Sequence, residues 1–495
     1  MKREDRTFFW IIASFFLASL VIRVILSGGL ELDESEQLLL TQTWRWGYGP
    51  QPPLYVWLQS LFFNLFGVSI LSLALFKNLL LFVTFSFIYL IARETSGNRG
   101  LARMAVLSLF LSPQYGWEFN RTLTHTVLAT AAAAALLVCI LDLEKKRTAF
   151  KYTLMGLVAG FGLLGKYNFV LLLAALLIAG LSLPGWRGII LDRRILLSLA
   201  ATTVMGAGHL LWILKNQATA VSFTGKLEIS QDPGLLVYGH GIVNLIIASI
   251  GLFWPLLIVY IFFLRPSGST RQTVRGGGNI QSLLGRTMVI TLGICIVIVF
   301  TTHLTRFNDR WLAPLLFFLP VYLITRYRSR ITGPRSTAFV SLAATVMILL
   351  LALFPARVLL ASRTGKALRL NYPYGALSSG LRASGFTGGN ILAQNHRVGG
   401  NLRLHFPGSS INVPGRPHVP LREREPLLIA WNATDEDSAP PSLLEYVRDM
   451  TGGLSAEGNP GFVEAPMLHL KGRTMKLGYY IIEEPNDQSP RIKEE

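Results

Sequence analysis

The chain has 495 residues, of which 51% are hydrophobic and only 15% are charged, and its net charge is +18. The composition excludes an ordinary soluble protein, because the apolar residues fall in runs of about 13 to 24, which suit straight, tilted or packed membrane helices. The charge does not indicate nucleic-acid binding, because the basic residues lie in short loops on one predicted side of a membrane. The sequence therefore predicts an all-α polytopic membrane protein.

Eleven apolar segments are predicted to cross the membrane. With the N-terminus in the cytoplasm, the predicted inner segments hold 21 Lys and Arg, whereas the predicted outer loops hold 7. This bias follows the positive-inside rule and places the C-terminus outside. In chain order, the segments are 8–26, 70–91, 101–112, 122–142, 152–164, 168–183, 195–214, 241–264, 287–303, 311–325 and 337–355.

The composition changes after residue 355, where Gly, Pro, Asn and charged residues become frequent. Residues 441–450 have a helical pattern, and four short stretches have the pattern of β-strands. The sequence therefore predicts a membrane module over 1–355 and a small α/β or α+β domain over 356–485 on the outer face. A polar tail, 486–495, is predicted to be disordered. The strand-like stretches are 390–395, 409–414, 426–431 and 476–484.

The predicted outer loop after the first membrane segment carries four carboxylates beside a tryptophan-rich stretch. Residues 33–66 fit two amphipathic helices along the membrane surface, the second beginning at a Pro-Pro pair. Asp33, with Glu36 three residues later, fits a capping box in which Asp33 is the N-cap. Capping and a catalytic role of Asp33 are both open at this point, and they do not exclude each other. The four carboxylates are Glu31, Asp33, Glu34 and Glu36.

Several motifs occur in the order and on the sides of the membrane that are typical of the GT-C glycosyltransferases. The chain resembles the protein O-mannosyltransferase and lipid A aminoarabinose transferase group of that superfamily (families 39 and 83). The likeness begins with the Asp-Glu pair after the first membrane segment and includes the outer C-terminal domain. The other matching motifs are "GYGPQPPLYVWL" (47–58), "GLVAGFGLLGKYNFVLLL" (156–173) and "RFNDRWLAPLLFFLPVYL" (306–323).

The resemblance implies an enzyme that transfers a sugar from a polyprenyl-phosphate carrier to an acceptor on the outer face. It implies Asp33 as the base that takes the acceptor proton, with Glu34 as its neighbour, in a single inverting displacement. Cations would stabilise the leaving phosphate, and the candidates are Lys166, Arg306 and Arg310. For Lys166 a snorkelling side chain in a tight turn is the alternative. For Arg310 the alternative is a salt bridge with Asp309.

Further polar and aromatic residues of the outer loops are candidates for substrate contacts. Gln51 stands where the aminoarabinose transferases carry a Lys before the Pro-Pro pair, so that phosphate contact is lost or supplied elsewhere. Arg121 is equally compatible with a place in the active-site cavity and with an anchor at the membrane border. The candidates for substrate contacts are Arg121, His125, Tyr48, Gln51 and Tyr55.

The partners implied by the resemblance are a lipid-linked sugar donor, an envelope glycan or lipid acceptor of the lipid A or lipopolysaccharide type, and membrane lipids. No bound cofactor and no divalent metal is expected, because no second outer cluster of carboxylates accompanies residues 31–36. The expected location is the bacterial inner (plasma) membrane, with the N-terminus in the cytoplasm and the C-terminal domain periplasmic or extracellular. The alternatives are a protein Ser or Thr acceptor, a transporter or flippase for a lipid-linked glycan, and a non-catalytic scaffold with a sensory outer domain.

Overall fold

The computed structural model describes residues 3–122, 124–220, 222, 225, 227–230, 234–265, 278–454 and 458–483. The predicted disordered tail, 486–495, lies outside the described residues. Most of the chain is helical, and one small sheet lies near the C-terminus. This confirms the predicted fold class, an all-α membrane protein with a small C-terminal α/β or α+β domain.

The helices vary from single turns to membrane-length elements. They are α1 (Arg3–Leu26), α2 (Leu32–Leu40), α3 (Leu54–Phe66), α4 (Ile70–Ser96), α5 (Arg99–Leu107), α6 (Phe119–Arg121), α7 (Thr124–Lys145), α8 (Ala149–Gly165), α9 (Phe169–Ser182), α10 (Pro184–Ile190), α11 (Ile195–Lys215), α12 (Gln217–Ala220), α13 (Leu235–Phe263), α14 (Asn279–Thr302), α15 (Asp309–Leu316), α16 (Leu319–Arg326), α17 (Gly333–Leu359), α18 (Ala361–Thr364), α19 (Tyr374–Ala383), α20 (His396–His405) and α21 (Pro441–Thr451).

Among the described residues, seven helices are long and apolar enough to cross a membrane: α1, α4, α7, α11, α13, α14 and α17. The shorter apolar helices are α3, α8 and α9. Each of the eleven predicted segments coincides with helical structure, but two of them are not single α-helices. The segment 101–112 is α5 continued by the tighter turn Ser108–Leu111, and 311–325 is divided between α15 and α16. Pro320 lies in the first turn of α16, where a residue without a backbone N–H is tolerated.

The chain divides into two compact units. The first unit contains Met1–Ser19, Gly49–Tyr55 and Lys77–Leu351, and the second contains Leu20–Tyr48, Val56–Phe76 and Ala352–Glu495. The second unit therefore includes most of the carboxylate-rich outer loop together with the C-terminal region. The domain boundary predicted at residue 355 stays a prediction.

Helices α8 and α11 of the first unit pack closely through a small residue. A Cβ atom on Gly156 would lie 2.2 Å from the carbonyl oxygen of Ser198. The Thr202 hydroxyl donates a hydrogen bond to the Gly156 carbonyl at 2.8 Å, and the Ser198 hydroxyl donates to the Tyr152 carbonyl at 2.6 Å. Small residues and interhelical hydrogen bonds are the means by which helices associate in a membrane. They fix α8, whose C-terminal end carries Lys166.

The sheet of the second unit has five strands in the order β2-β1-β3-β5-β4. Strand β1 pairs in parallel with both β2 and β3, while β5 pairs antiparallel with β3 and β4. Four of the strands and α21 lie where the sequence predicts them, whereas β4 was not predicted. The strands are β1 (Asn390–Ala393), β2 (Ser410–Asn412), β3 (Leu427–Asn432), β4 (Gly461–Pro466) and β5 (Thr474–Ile482).

Helix α2 from the outer loop packs against α20 of the C-terminal region, and both lie in the second unit. A Cβ atom on Gly400 would lie 2.4 Å from the carbonyl oxygen of Ser35, so the contact requires glycine. Just beyond α2, the Gln42 side-chain amide donates to the Ile411 carbonyl at 2.8 Å and accepts from its N–H at 2.9 Å. Gln42 thereby satisfies backbone groups of β2, which is an edge strand. These contacts fix the helix that carries Asp33.

Candidate active site

The N-cap of α2 is Glu31, so the predicted capping box with Asp33 as N-cap and Glu36 at N3 is wrong. The helix begins two residues earlier than the pattern suggested. The Glu34 carboxylate accepts a hydrogen bond from the Glu31 backbone N–H at 2.9 Å. Glu34 stands three residues after Glu31, just as Glu36 stands three residues after Asp33, so the two pairs share the spacing of a capping box although Asp is the commoner N-cap residue. Asp33 lies inside the first turn and is half-buried.

Glu34 forms a buried ion pair with Arg23, which lies in the last turn of α1. The guanidinium donates at 3.0 Å to one carboxylate oxygen and at 2.6 Å to the other, and both side chains are only 5% exposed. Arg23 also donates to the carbonyl oxygens of Ser27 and Gly29, at 3.1 and 2.8 Å. A buried charge pair is tolerated when its remaining donors are satisfied in this way. The pair fixes the turn between α1 and α2.

The two other carboxylates of the loop also form ion pairs within the second unit. Glu31 is buried and contacts Arg357 at 2.6 Å and Arg369 at 3.3 Å. Glu36 contacts Arg416 at 2.8 Å. The acidic loop is therefore tied by arginines to distant parts of the chain, and its backbone is held in one conformation.

Asp33 lies in a region of positive charge. Its carboxylate interacts electrostatically with His396, the first residue of α20. Burial, and to a smaller extent the charges of Arg416, Arg397 and Arg369, lower the pKa of His396 to about 4, while Asp33 opposes them. At neutral pH, His396 is therefore an uncharged neighbour of the Asp33 carboxylate.

Tyr48 has a structural position in the second unit. Its side chain packs with Leu40 and Val56, it is 3% exposed, and burial raises its pKa. Its hydroxyl donates to the Thr43 carbonyl and accepts from the Arg45 N–H, both at 2.9 Å. These contacts stabilise the turn after α2 and leave little of the Tyr48 side chain accessible to a substrate.

Lys166 of the first unit ends α8 in an extended conformation, and its side chain is half-buried. Its ammonium group donates to the Thr126 hydroxyl at 2.9 Å and to the Arg310 carbonyl at 3.3 Å. Lys166 thus connects the end of α8 with α7 and with the start of α15. Neutral oxygens orient the ammonium group there, as they would for a site that receives an anion.

A buried lysine, Lys77, lies in the same unit. Lys77, in α4, is 4% exposed, and its ammonium group donates to the Arg121 carbonyl at 3.3 Å. The Arg121 side chain forms an ion pair with Glu118 at 2.8 Å. His125 lies one turn further along the chain, with its ring 5.5 Å from the ring of Tyr55. Tyr55 is buried, and Gln51 is half-buried.

The two arginines before α15 differ from Lys166 in their exposure. Arg306 is 59% exposed and forms an ion pair with Glu228 at 2.6 Å. The Arg310 side chain is exposed, and its backbone N–H donates to the Asp309 carboxylate at 2.8 Å. The interaction between Asp309 and Arg310 in the structure is therefore this N-terminal hydrogen bond of α15.

No group of three or more His, Cys, Asp or Glu side chains arranged to hold a metal ion is found in the part of the chain that the structure describes. Glu34 and Glu36 of α2, and Glu31 at its N-cap, are engaged with arginines. We therefore assign no metal ligands.

Two curated proteins of Rhizobium johnstonii are similar to the chain over most of their length. The lipopolysaccharide core galacturonosyltransferase RgtB is 33% identical over 494 residues, which cover 98% of this chain and 99% of the relative. RgtA, of the same description, is 30% identical over 454 residues, covering 89% and 90%. The dolichyl-phosphate-mannose-protein mannosyltransferase family model matches residues 50–212. The chain belongs to the GT-C superfamily of membrane glycosyltransferases.

Solved GT-C structures have the same fold. ArnT from Cupriavidus metallidurans bound to undecaprenyl phosphate aligns with a TM-score of 0.59, covering 97% of this chain and 99% of ArnT at 13% identity. The apo form of ArnT aligns with a TM-score of 0.61, covering 96% and 98% at 12% identity. The likeness in fold extends through the membrane helices and the C-terminal sheet.

Several charged residues of this GT-C chain were not among the sequence candidates. Lys77 interrupts an otherwise apolar segment, and a charge in such a place is a signal for function that could have been used. Arg23 interrupts the first segment in the same way. No sequence pattern indicates that Arg357 and Arg369 pair with Glu31, because Glu31 is more than 300 positions away in the sequence.

Proposed function

We propose that this GT-C enzyme transfers a galacturonosyl residue from a polyprenyl-phosphate carrier to the lipopolysaccharide core, on the periplasmic face of the inner membrane. The observation that carries the proposal is the end-to-end similarity to two lipopolysaccharide core galacturonosyltransferases. The excess of Lys and Arg in the loops assigned to the cytoplasm supports the orientation. A carrier with a polyprenyl phosphate is supported by the shared fold with ArnT, which binds undecaprenyl phosphate.

In the proposed reaction, Asp33 accepts the proton of an acceptor hydroxyl. The hydroxyl oxygen forms a bond to the anomeric carbon of the donor, and the bond between that carbon and the phosphate oxygen breaks. Polyprenyl phosphate leaves with the electron pair, and the configuration at the anomeric carbon inverts. Because α2 is fixed by the Gly400 contact and by the Arg23–Glu34 pair, the Asp33 carboxylate is well placed to act as a general base.

Cations of the first unit are proposed to bind the carrier phosphate. Lys166 is the leading candidate, because two neutral oxygens orient its ammonium group. Lys77 is proposed to supply the charge that Gln51 cannot, since Gln51 occupies the position of a family lysine. Positive groups that are already in place stabilise the charge on the leaving phosphate without reorganisation.

The test compares two carboxylates on the same helix. Asp33→Asn and Glu36→Gln each remove one negative charge with little change in size, and Glu36 forms an ordinary half-exposed pair with Arg416. Membranes containing each full-length variant are incubated with polyprenyl-phosphate galacturonate and lipopolysaccharide, and incorporated galacturonate is measured by mass spectrometry. Asp33→Asn should lower transfer by about 10²- to 10⁴-fold, the usual contribution of a general base.

Glu36→Gln should keep transfer within about twofold of the unaltered protein, as expected for a surface pair. Equal losses in both variants would contradict the assignment of Asp33 as the base. If the unaltered protein transfers no galacturonate, the proposed donor is wrong.

A protein acceptor is a second candidate, because the family model that matches residues 50–212 describes protein mannosyltransferases. The same incubation separates the two acceptors when the donor sugar is radiolabelled. Label in the lipopolysaccharide fraction supports the first candidate, and label in the protein fraction supports the second.

A further inference from the structure

A cavity of about 240 Å³ lies within the second unit, against the C-terminal sheet. Its volume is near the lower end of the range of about 300–1,000 Å³ that is usual for small-molecule sites. The walls are formed mainly by amide, hydroxyl and charged side chains. Such a cavity suits a small polar ligand.

The cavity lies at the point where the strand order of the sheet reverses. From β1 the chain passes through α20 to β2 on one side, and it then crosses to β3 on the other side of β1. Gln394 and Asn395 directly follow β1, Asn432 ends β3, and all three line the cavity. Open α/β sheets bind ligands in this crevice, beyond the carboxyl ends of parallel strands. The Asn432 N–H donates to the Gln394 side chain at 3.1 Å and joins the two loops.

One wall of the cavity is cationic. Arg369 and Arg397 both line it, and among the described residues no carboxylate lies within ion-pairing distance of Arg397. The Asn395 side chain accepts from the N–H groups of Arg397 and Val398 at 3.0 and 3.2 Å, so it already caps α20. An anionic group here would therefore be bound by the guanidinium groups, which match a carboxylate in geometry.

The lining also contains hydrogen-bond acceptors and an aromatic side chain. Asp435 and Glu436 are among the lining residues, and Ser438 donates to the Glu436 carboxylate at 2.6 Å. Tyr372 also lines the cavity and is half-buried. Carboxylates and amides bind the hydroxyl groups of a sugar, and the aromatic side chain suits its apolar face. A ligand that matches this lining carries several hydroxyl groups and one negative charge.

We propose that this cavity is a binding site for an acidic saccharide. The carboxylate of the sugar is bound by Arg369 and Arg397, and its hydroxyl groups are bound by Asp435 and the neighbouring amides. The site goes beyond the proposed sugar transfer, because it binds a saccharide without reacting with it and does not involve Asp33.

The test uses two probes that differ only at the sixth carbon, methyl α-D-galacturonide and methyl α-D-galactoside. Binding of each to the full chain in lipid nanodiscs is titrated by saturation-transfer NMR. The galacturonide should bind at least about tenfold more tightly than the galactoside, because only the galacturonide forms a charge-assisted pair with arginine. Equal affinities, or no saturable binding of the galacturonide, would overturn the proposal.

Three variants test whether the galacturonide binds in this cavity. Arg397→Gln should lower the affinity for the galacturonide by about tenfold and change the affinity for the galactoside by less than about twofold. Ser438→Trp should abolish binding of both probes, because the indole fills the cavity. If Arg397→Gln and Ser438→Trp both leave the affinity for the galacturonide unchanged, the galacturonide binds elsewhere and the proposal is wrong. Asp33→Asn should bind the galacturonide normally although it does not transfer sugar, which separates failure of this site from failure of the proposed function.

Discussion

Two groups of charged side chains, one in each unit of the molecule, are held in different ways. In the second unit, Arg23 and Glu34 form a buried ion pair, and Arg357 pairs with Glu31. In the first unit, the ammonium groups of the half-buried Lys166 and the buried Lys77 donate to hydroxyl and carbonyl oxygens. An opposite charge fixes the fold, whereas hydroxyl and carbonyl oxygens orient an ammonium group without neutralising its charge. Burial of a charge alone therefore does not distinguish a structural residue from a functional one.

The largest expected effect tests the structural side of this comparison. Arg23→Met leaves the Glu34 carboxylate buried without its cation, and should lower the free energy of unfolding by about 3–5 kcal/mol. Denaturant unfolding of the purified protein measures this change. The double variant Arg23→Met with Glu34→Met removes both charges of this pair and should recover much of the stability. A single variant as stable as the unaltered protein would mean that the pair does not fix the turn.

The second-largest expected effect tests the proposed role of Lys166 in binding the carrier phosphate. Lys166→Met should lower transfer by about 10²- to 10³-fold, as expected for one lost electrostatic contact to the leaving group. Its unfolding midpoint should change little, because hydrogen bonds to the Thr126 hydroxyl and the Arg310 carbonyl contribute modestly to stability. Lys151, in the first turn of the same helix, is ion-paired with Asp142 and provides the matched control.

Lys151→Met should keep transfer within about twofold, since its pair with Asp142 is partly exposed and contributes little. Rates are measured with saturating and limiting donor, so that donor binding and turnover are separated. If the two lysine variants lose equal activity, Lys166 has no special part in the reaction.

The smallest effect concerns Arg306, which the sequence placed among the phosphate-binding residues. Its pair with Glu228 is largely exposed, and such pairs contribute at most about 1 kcal/mol. Arg306→Gln should therefore change both the unfolding midpoint and transfer only slightly, and Glu228→Gln should behave in the same way. A large loss of transfer in Arg306→Gln alone would restore Arg306 as a ligand of the carrier phosphate.

Much of the membrane architecture could be predicted from hydrophobic periodicity, because each crossing segment carries its own signal. The segment 311–325 shows where that signal stops. Its apolar run is continuous, but the helix is interrupted between Leu316 and Leu319, just before Pro320. Strand β4 was missed because half of its residues are small or polar, and its position depends on pairing with β5 rather than on its own sequence.

Less of the candidate site could be predicted, because its geometry depends on partners far apart in the chain. The position of Asp33 followed from the family motif, but the local pattern could not decide between two overlapping capping boxes. Glu31 is the N-cap of the folded helix because Arg23 pairs with Glu34 and Gly400 packs against Ser35. Position in a motif identifies a candidate residue, and only the folded chain shows what its neighbours are doing.

The close approach of α20 to α2 has a consequence for how the C-terminal region can exist. The groove that receives α2 is formed by glycines, and Leu39 of α2 contributes to the hydrophobic core beneath it. A fragment beginning at Ala352 would lack this helix and would expose an apolar trough with an uncovered edge strand. Folding of the C-terminal region therefore depends on a helix that precedes it by more than 300 residues in the chain.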